Sequence, residues 1–165
     1  MITRRTLLEL SLYTPMLSGL SNSVFADSKV NSATKDSDLI YLSPIKSDGT
    51  ESSCQAEVWF VQNGKDMYVC TSTSSWRTRA IAKGLNRARV WVGDLGSWKS
   101  TNGKYKDLPS LEVEARLVSD TNVQQEALTL FGDKYPLGWV VYESRFRNGL
   151  ANGSRSMLRY SPLAS

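Results

Sequence analysis

Thr71–Arg79, TSTSSWRTR, sets a run of hydroxyls and two guanidinium groups directly behind an apolar segment. Where a strand runs into a helix, the first N–H groups have no partner inside the helix and the macrodipole adds partial positive charge. Hydroxyls and arginines around such an end make a site for a phosphate or another oxyanion, and Thr73, Ser74, Ser75, Arg77 and Arg79 stand where that chemistry would occur. The same residues also read as a Ser-capped surface helix with solvated arginines, because Ser and Thr are ordinary caps.

Histidine is absent from all 165 residues. That removes the imidazole general base, the Ser-His-Asp and Cys-His nucleophile systems, and the commonest ligand for zinc or haem. No metal site is read from what remains. Chemistry has to come from a bound cofactor or from carboxylates, Tyr, Lys or Cys. The two cysteines, Cys54 and Cys70, are enough for one disulfide in an oxidising compartment. A turn at Asn63–Gly64, however, sets Cys70 opposite the neighbourhood of Glu57, three residues from Cys54 and too far for a strain-free bridge. Two unpaired thiols are expected.

The elements that would position these groups follow a leader. Arg4–Arg5 precede a modestly apolar run, Leu7–Leu20, and Val24 and Ala26 offer small residues where a signal peptidase reads. Residues 1–26 read as an export signal of the twin-arginine kind, leading to a periplasmic or secreted location in a bacterium. The apolar run is shorter than the roughly 20 residues of a spanning helix and ends in polar side chains, so no stable membrane anchor is expected after processing. Residues 27–38, rich in Ser, Asp, Asn and Lys, read as a polar linker. The 39–162 stretch suffices for one hydrophobic core and is too short for two. Removing Arg4, Arg5 and Glu9 lowers the formal charge from +4 to +3. The basic residues are scattered without a stripe, and no nucleic-acid partner is expected.

Within that stretch, Leu39–Lys46 is β-leaning and Cys54–Gln62 alternates, with Ala56, Val58 and Phe60 on one face and Glu57, Trp59 and Val61 on the other. Asn63–Gly64 turns the chain and Met67–Thr73 returns as a hairpin. A short helix capped by Ser74 or Ser75 ends near Gly84, and Ala88–Gly93 and Ser110–Val118 are further strands. Thr121 and Gln124 form a capping box ahead of a helix closed by Gly132. Trp139–Glu143 and Ser156–Ser161 read as the last extended segments, with a loop between them. Antiparallel hairpins with helices in their connections suggest a small barrel or an α+β sheet.

The order of hairpin, hydroxyl-rich turn with Arg, short helix and then ARVWVG resembles the split β-barrel family that binds FMN or the deazaflavin F420. Pyridoxamine-phosphate-oxidase-like proteins and deazaflavin-dependent nitroreductases belong to that family. ALTLFGDKYPLGW (Ala127–Trp139) is similar to a helix and Tyr-Pro turn of the deazaflavin branch, and RSMLRYSP (Arg155–Pro162) to the closing strand. The resemblance implies a mainly β, α+β fold: an antiparallel split β-barrel of six to seven strands with two short helices. It also implies an exported oxidoreductase that passes hydride between FMN, or F420, and a small organic substrate. In that scheme Thr73, Ser74, Ser75, Arg77 and Arg79 hold the phosphate, while Val58, Trp59 and Phe60 supply backbone donors and walls for the ring. Tyr135 is the candidate proton donor, although beside Pro136 it also reads as a turn-packing residue. A homodimer with the cofactor between two barrels follows from the same resemblance. The competing reading is a non-enzymatic split-barrel module that holds a small anionic ligand or a tetrapyrrole.

Overall fold

The computed structural model describes residues 21–163, with side chains from Ser28 onward, so the leader up to residue 20 lies outside the described residues. The chain runs α1 (Ser21–Asp36), β1 (Leu39–Pro44), β2 (Ala56–Trp59), β3 (Val61–Asn63), β4 (Asp66–Ser72), α2 (Trp76–Ala82) and β5 (Arg87–Val92). Two single 3-10 turns at Trp98–Thr101 and Lys104–Asp107 lead to β6 (Ser110–Val118). Then come α3 (Thr121–Lys134), α4 (Pro136–Ala151) and β7 (Arg155–Pro162).

All strands pair antiparallel in the order β2-β1-β5-β6-β7-β4-β3. β2 and β3 thus occupy opposite edges of the sheet, yet only Phe60 separates them in the chain. The two edges must meet, and the sheet curls into a nearly closed barrel. The expected single strand from Cys54 to Gln62 is therefore two strands broken at Phe60. Tyr135 bridges the break: its hydroxyl accepts from the Phe60 N–H at 3.1 Å and lies 2.6 Å from the Phe60 carbonyl oxygen and 2.8 Å from that of Asp38.

Inward-facing residues of the alternating strands fill the barrel, among them Ile40, Leu42, Phe60, Val69, Val90, Val113 and Leu158. Each such side chain contributes on the order of 1.5–3 kcal/mol of burial free energy. Val30 of α1 joins this core, so the segment read as a polar linker is helical as far as Asp36. Its polar composition hides a helical stripe of Val30, Ala33 and Thr34 that packs on the barrel. A second core lies outside the sheet, where Tyr68, Cys70 and Met157 meet Leu128, Phe131, Tyr135 and Phe146 of α3 and α4.

The helices depart from expectation in two further places. α3 is capped by Asp120, which accepts from the N–H groups of Asn122 (2.8 Å) and Val123 (3.3 Å), and runs through Gly132 to Lys134. Trp139–Glu143, read as a strand, belongs with the following loop to the 16-residue helix α4. Its interior spacing of Trp139, Tyr142 and Phe146 is helical. Cys54 and Cys70 are both free. Among the described residues no helix is long and apolar enough to cross a membrane.

Candidate functional site

Helix α4 lies against β2, β4 and β7, and two of its glycines let it approach them. A Cβ at Gly138 would come within 2.4 Å of the Trp59 ring, and one at Gly149 within 2.7 Å of the Arg155 stem. These glycines stand about three helical turns apart on nearly the same face, one at each end of a groove. At one end, a cavity of about 310 Å³ is lined by Val58, Trp59, Cys70, Tyr142, Phe146 and Arg155. At the other, a cavity of about 420 Å³ is lined by Ser72, Arg145, Asn148, Asn152, Ser154 and, again, Arg155.

The aromatic end is held from behind. Trp59 stacks on Tyr135 with ring centroids 4.5 Å apart and planes 4° from parallel, and Tyr142 meets it edge-on at 5.2 Å. Tyr135 in turn is fixed by the Phe60 and Asp38 backbone, and burial pushes its pKa well above the ordinary phenol range. That hydroxyl is committed to the fold and is not free to give a proton to a substrate.

Arg155 joins the two ends. Its stem crosses Gly149, and its guanidinium carbon sits 4.9 Å from the centroid of the Phe146 ring, a cation–π contact. Beside it, burial pushes the Cys70 thiol up to about 11 while Arg155 pulls the other way, so this sulfur carries a proton at neutral pH. No carboxylate lines either cavity. Arg145 and Arg155 have no carboxylate partner among the described residues, whereas Arg87, Arg89, Arg116, Arg147 and Arg159 each have at least one. Two unpaired guanidiniums beside hydroxyls and amides suit a phosphate or carboxylate. Among the described residues no group of three or more His, Cys, Asp or Glu side chains is placed to hold a metal ion.

No protein-family model matches the sequence, and no curated protein matches it either. Solved structures do match in three dimensions. HutZ, the heme storage protein from Vibrio cholerae, superposes with a TM-score of 0.57 at 14% identity, over 85% of this chain and 92% of its own. Rv2991, a conserved hypothetical protein from Mycobacterium tuberculosis, gives 0.54 at 17% identity over 93% and 87%. A Clostridium acetobutylicum protein of the pyridoxinephosphate oxidase family, related to general stress protein 26 of B. subtilis, gives 0.52 at 12% identity over 86% and 85%. The fold is the split β-barrel.

The split barrel does not gather the hydroxyl-rich stretch into one cradle. The Thr73 hydroxyl donates to the Gly153 carbonyl at 2.7 Å or to Ser156 Oγ at 2.9 Å, tying the end of β4 to the turn before β7. Ser74 Oγ pairs with Ser72 Oγ at 2.9 Å. Ser75 caps α2, accepting from the Thr78 N–H, and its Oγ meets Thr78 Oγ1 at 2.9 Å. Arg77 turns inward, half-buried, and donates to Thr71 Oγ1 at 3.3 Å, while burial lowers its pKa. Arg79 points away to a separate concavity on α2.

Of the expected ring-side residues, Val58 and Trp59 do line the split barrel's groove. Phe60 faces the barrel interior with its N–H and carbonyl taken by Tyr135. Arg145 and Phe146 carry no signal of a site in the sequence, and Arg155 stands there only as the first residue of the closing strand. The legible signal was the helical spacing of Trp139, Tyr142, Phe146 and Gly149, which puts Arg145 and Phe146 on α4 rather than in a loop.

Proposed function

We propose that the chain binds a phosphorylated planar heteroaromatic cofactor, flavin mononucleotide or the deazaflavin F420, under α4 and uses it on a small organic substrate. The observation that carries this reading is the union, through Arg155, of an aromatic slot with an acid-free end holding two unpaired arginines. The cavities together fall in the usual range for small-molecule sites. Arg145 and Arg155 would hold the phosphate with Ser72, Ser154 and Asn148, and Val58, Trp59 and Phe146 would wall the ring. A bound flavin supplies the hydride chemistry itself, which suits a chain without histidine.

The chain's own part is placement. Gly138 and Tyr135 seat Trp59, while Gly149 and Phe146 seat Arg155, so both ends are set before a ligand arrives and less ordering is left to be done on binding. The protonated Cys70 gives the slot a neutral wall beside the ring.

A second reading, a non-enzymatic module for a tetrapyrrole, is favoured by the same two arginines, which suit propionate groups, and by the likeness to a heme storage protein. Against it, the chain has no imidazole for the iron, and the Cys70 thiol is held protonated. We also propose that two chains pair through the outer face of α4, where Leu137, Val140 and Val141 are 90%, 84% and 69% exposed. The paired arginines of the leader support export.

Titration of purified protein with FMN, F420 and haemin separates the readings. Saturable quenching of flavin or deazaflavin fluorescence is expected, with Arg145→Gln and Arg155→Gln each weakening it about tenfold or more and Arg79→Gln leaving it unchanged. Binding of haemin with no affinity for either flavin would move the assignment to the tetrapyrrole module. No binding of any of the three would overturn both.

A further inference from the structure

We propose that the concavity on the outer side of α2, walled by Trp76, Arg79 and Lys83 over Ala80 and Leu85, is a second binding site, and that its ligand is a small aromatic anion. The concavity measures about 380 Å³ and shares no lining residue with the groove under α4. Its ligand class follows from three features of the wall.

The first is charge. Arg79 and Lys83 stand four residues apart and so face the same side of the chain as α2 ends, an arrangement of like charges that costs a few tenths of a kcal/mol in a helix. Neither has a carboxylate partner among the described residues. Only Arg79 and Lys83 among the lining residues are charged, and an anion between them would relieve their repulsion. The second is the ring. Trp76 is the exposed tryptophan of the described chain, 36% accessible, and its indole N–H has no protein partner among the described residues. An exposed indole beside a cavity offers a stacking face and one donor.

The third is rigidity. Gly84, at φ +81°, lets the chain fold back so that the Leu85 N–H donates to the Ala80 carbonyl at 2.9 Å and the Gly84 N–H to that of Ile81 at 3.0 Å. That capping motif accounts for Leu85 lying against the helix end, and Ala80 is buried. The helix end also favours cations in its last turn and at its cap, Arg79 and Lys83 here; what neither the cap nor the dipole requires is an exposed indole beside both of them over the same hollow. Two cations, a donor and a ring wall over an apolar floor match an aryl phosphate, sulfate or carboxylate: the anion between Arg79 and Lys83, the ring on Trp76.

The probe is phenyl phosphate, with inorganic phosphate as the ringless control, followed by the Trp76 indole N–H resonance in an amide NMR spectrum. The resonance is identified as the one missing from Trp76→Phe, and the four remaining indole signals report that each variant is folded. Phenyl phosphate is expected to shift it saturably with a Kd near or below ~1 mM. The Arg79→Gln/Lys83→Gln variant is expected to weaken binding about tenfold or more, and inorganic phosphate to bind at least about tenfold more weakly. In Arg155→Gln, which lies in the other groove, the shift is expected to persist unchanged. The proposal is overturned by the absence of saturation up to ~20 mM, by equal binding in the Arg79/Lys83 variant, or by equal affinity for inorganic phosphate.

Discussion

Arg155 is the residue on which the groove turns, because three neighbours fix it: Gly149 beneath its stem, Phe146 under its guanidinium and Cys70 beside it. Its neighbour Cys70 is buried with the thiol raised to about 11, while Cys54 is half-exposed. At pH 8 a thiol reagent is therefore expected to titrate one cysteine in the native protein and the second only on unfolding, with peptide mapping assigning the fast site to Cys54. Fast modification of both would contradict the burial of the Cys70 thiol. At this scale the sequence misdirects in one instructive way. Thr73, Ser74 and Ser75 are the residue types of an oxyanion cradle, but they are equally the types that tie turns and cap helices. Their hydroxyls satisfy the turn and the cap instead. Composition alone does not say which partner a hydroxyl finds. Tyr135 shows the same ambiguity, since a phenol next to Pro136 reads as a donor or as a packing group, and only the Phe60 break in the strand reveals what it bridges.

α4 is the element that makes the groove and the one least legible in the sequence. Its inner positions carry a helical period, but Leu137, Val140 and Val141 are apolar on the solvent side and blur it into an apolar run with a β-branched pair. The strands were more readable: β6 keeps its alternation, with Val113 and Ala115 buried, while β4 and β7 are apolar on both faces because α3 and α4 cover their outer side, and they read as short apolar runs. The Phe60 break was not, since nothing in CQAEVWFVQ marks where the edge changes neighbours. The two α4 glycines give the sharpest prediction at this scale. Gly149→Ala adds a methyl against the Arg155 stem at a helical position, so the helix gains up to ~1 kcal/mol in propensity while the stem must move. Cofactor affinity is expected to fall about tenfold with little change in Tm. Gly138→Ala meets the rigid Trp59 ring, and a loss of about 1–3 kcal/mol in chemical unfolding is expected. Unchanged binding in Gly149→Ala would separate Arg155 from the ligand.

The described chain is a nearly closed barrel whose edge strands β2 and β3 are joined through Phe60, with α1 packed on its interior core and α3 and α4 packed outside. That arrangement leaves the outward face of α4 as an apolar surface uncovered among the described residues. Val140→Asp/Val141→Asp is expected to convert a dimer to monomer by sedimentation or light scattering while leaving the unfolding midpoint nearly unchanged, since both side chains are exposed. A parent protein that is already monomeric would remove the pairing from the account. Hairpins, turns and alternation made a small barrel or an α+β sheet legible, and the resemblance to the split β-barrel family selected the barrel. Which surface of the barrel receives a ligand was not, because it depends on a helix that arrives well after the hydroxyl-rich turn, beyond β5, β6 and α3, and supplies the opposite wall. The most direct measurement is a crystal structure of the protein soaked with FMN. The phosphate is expected between Arg145 and Arg155 and the ring against Trp59. A phosphate found instead on Arg77 or Arg79, or a groove under α4 that stays empty while the flavin binds elsewhere, would contradict that placement.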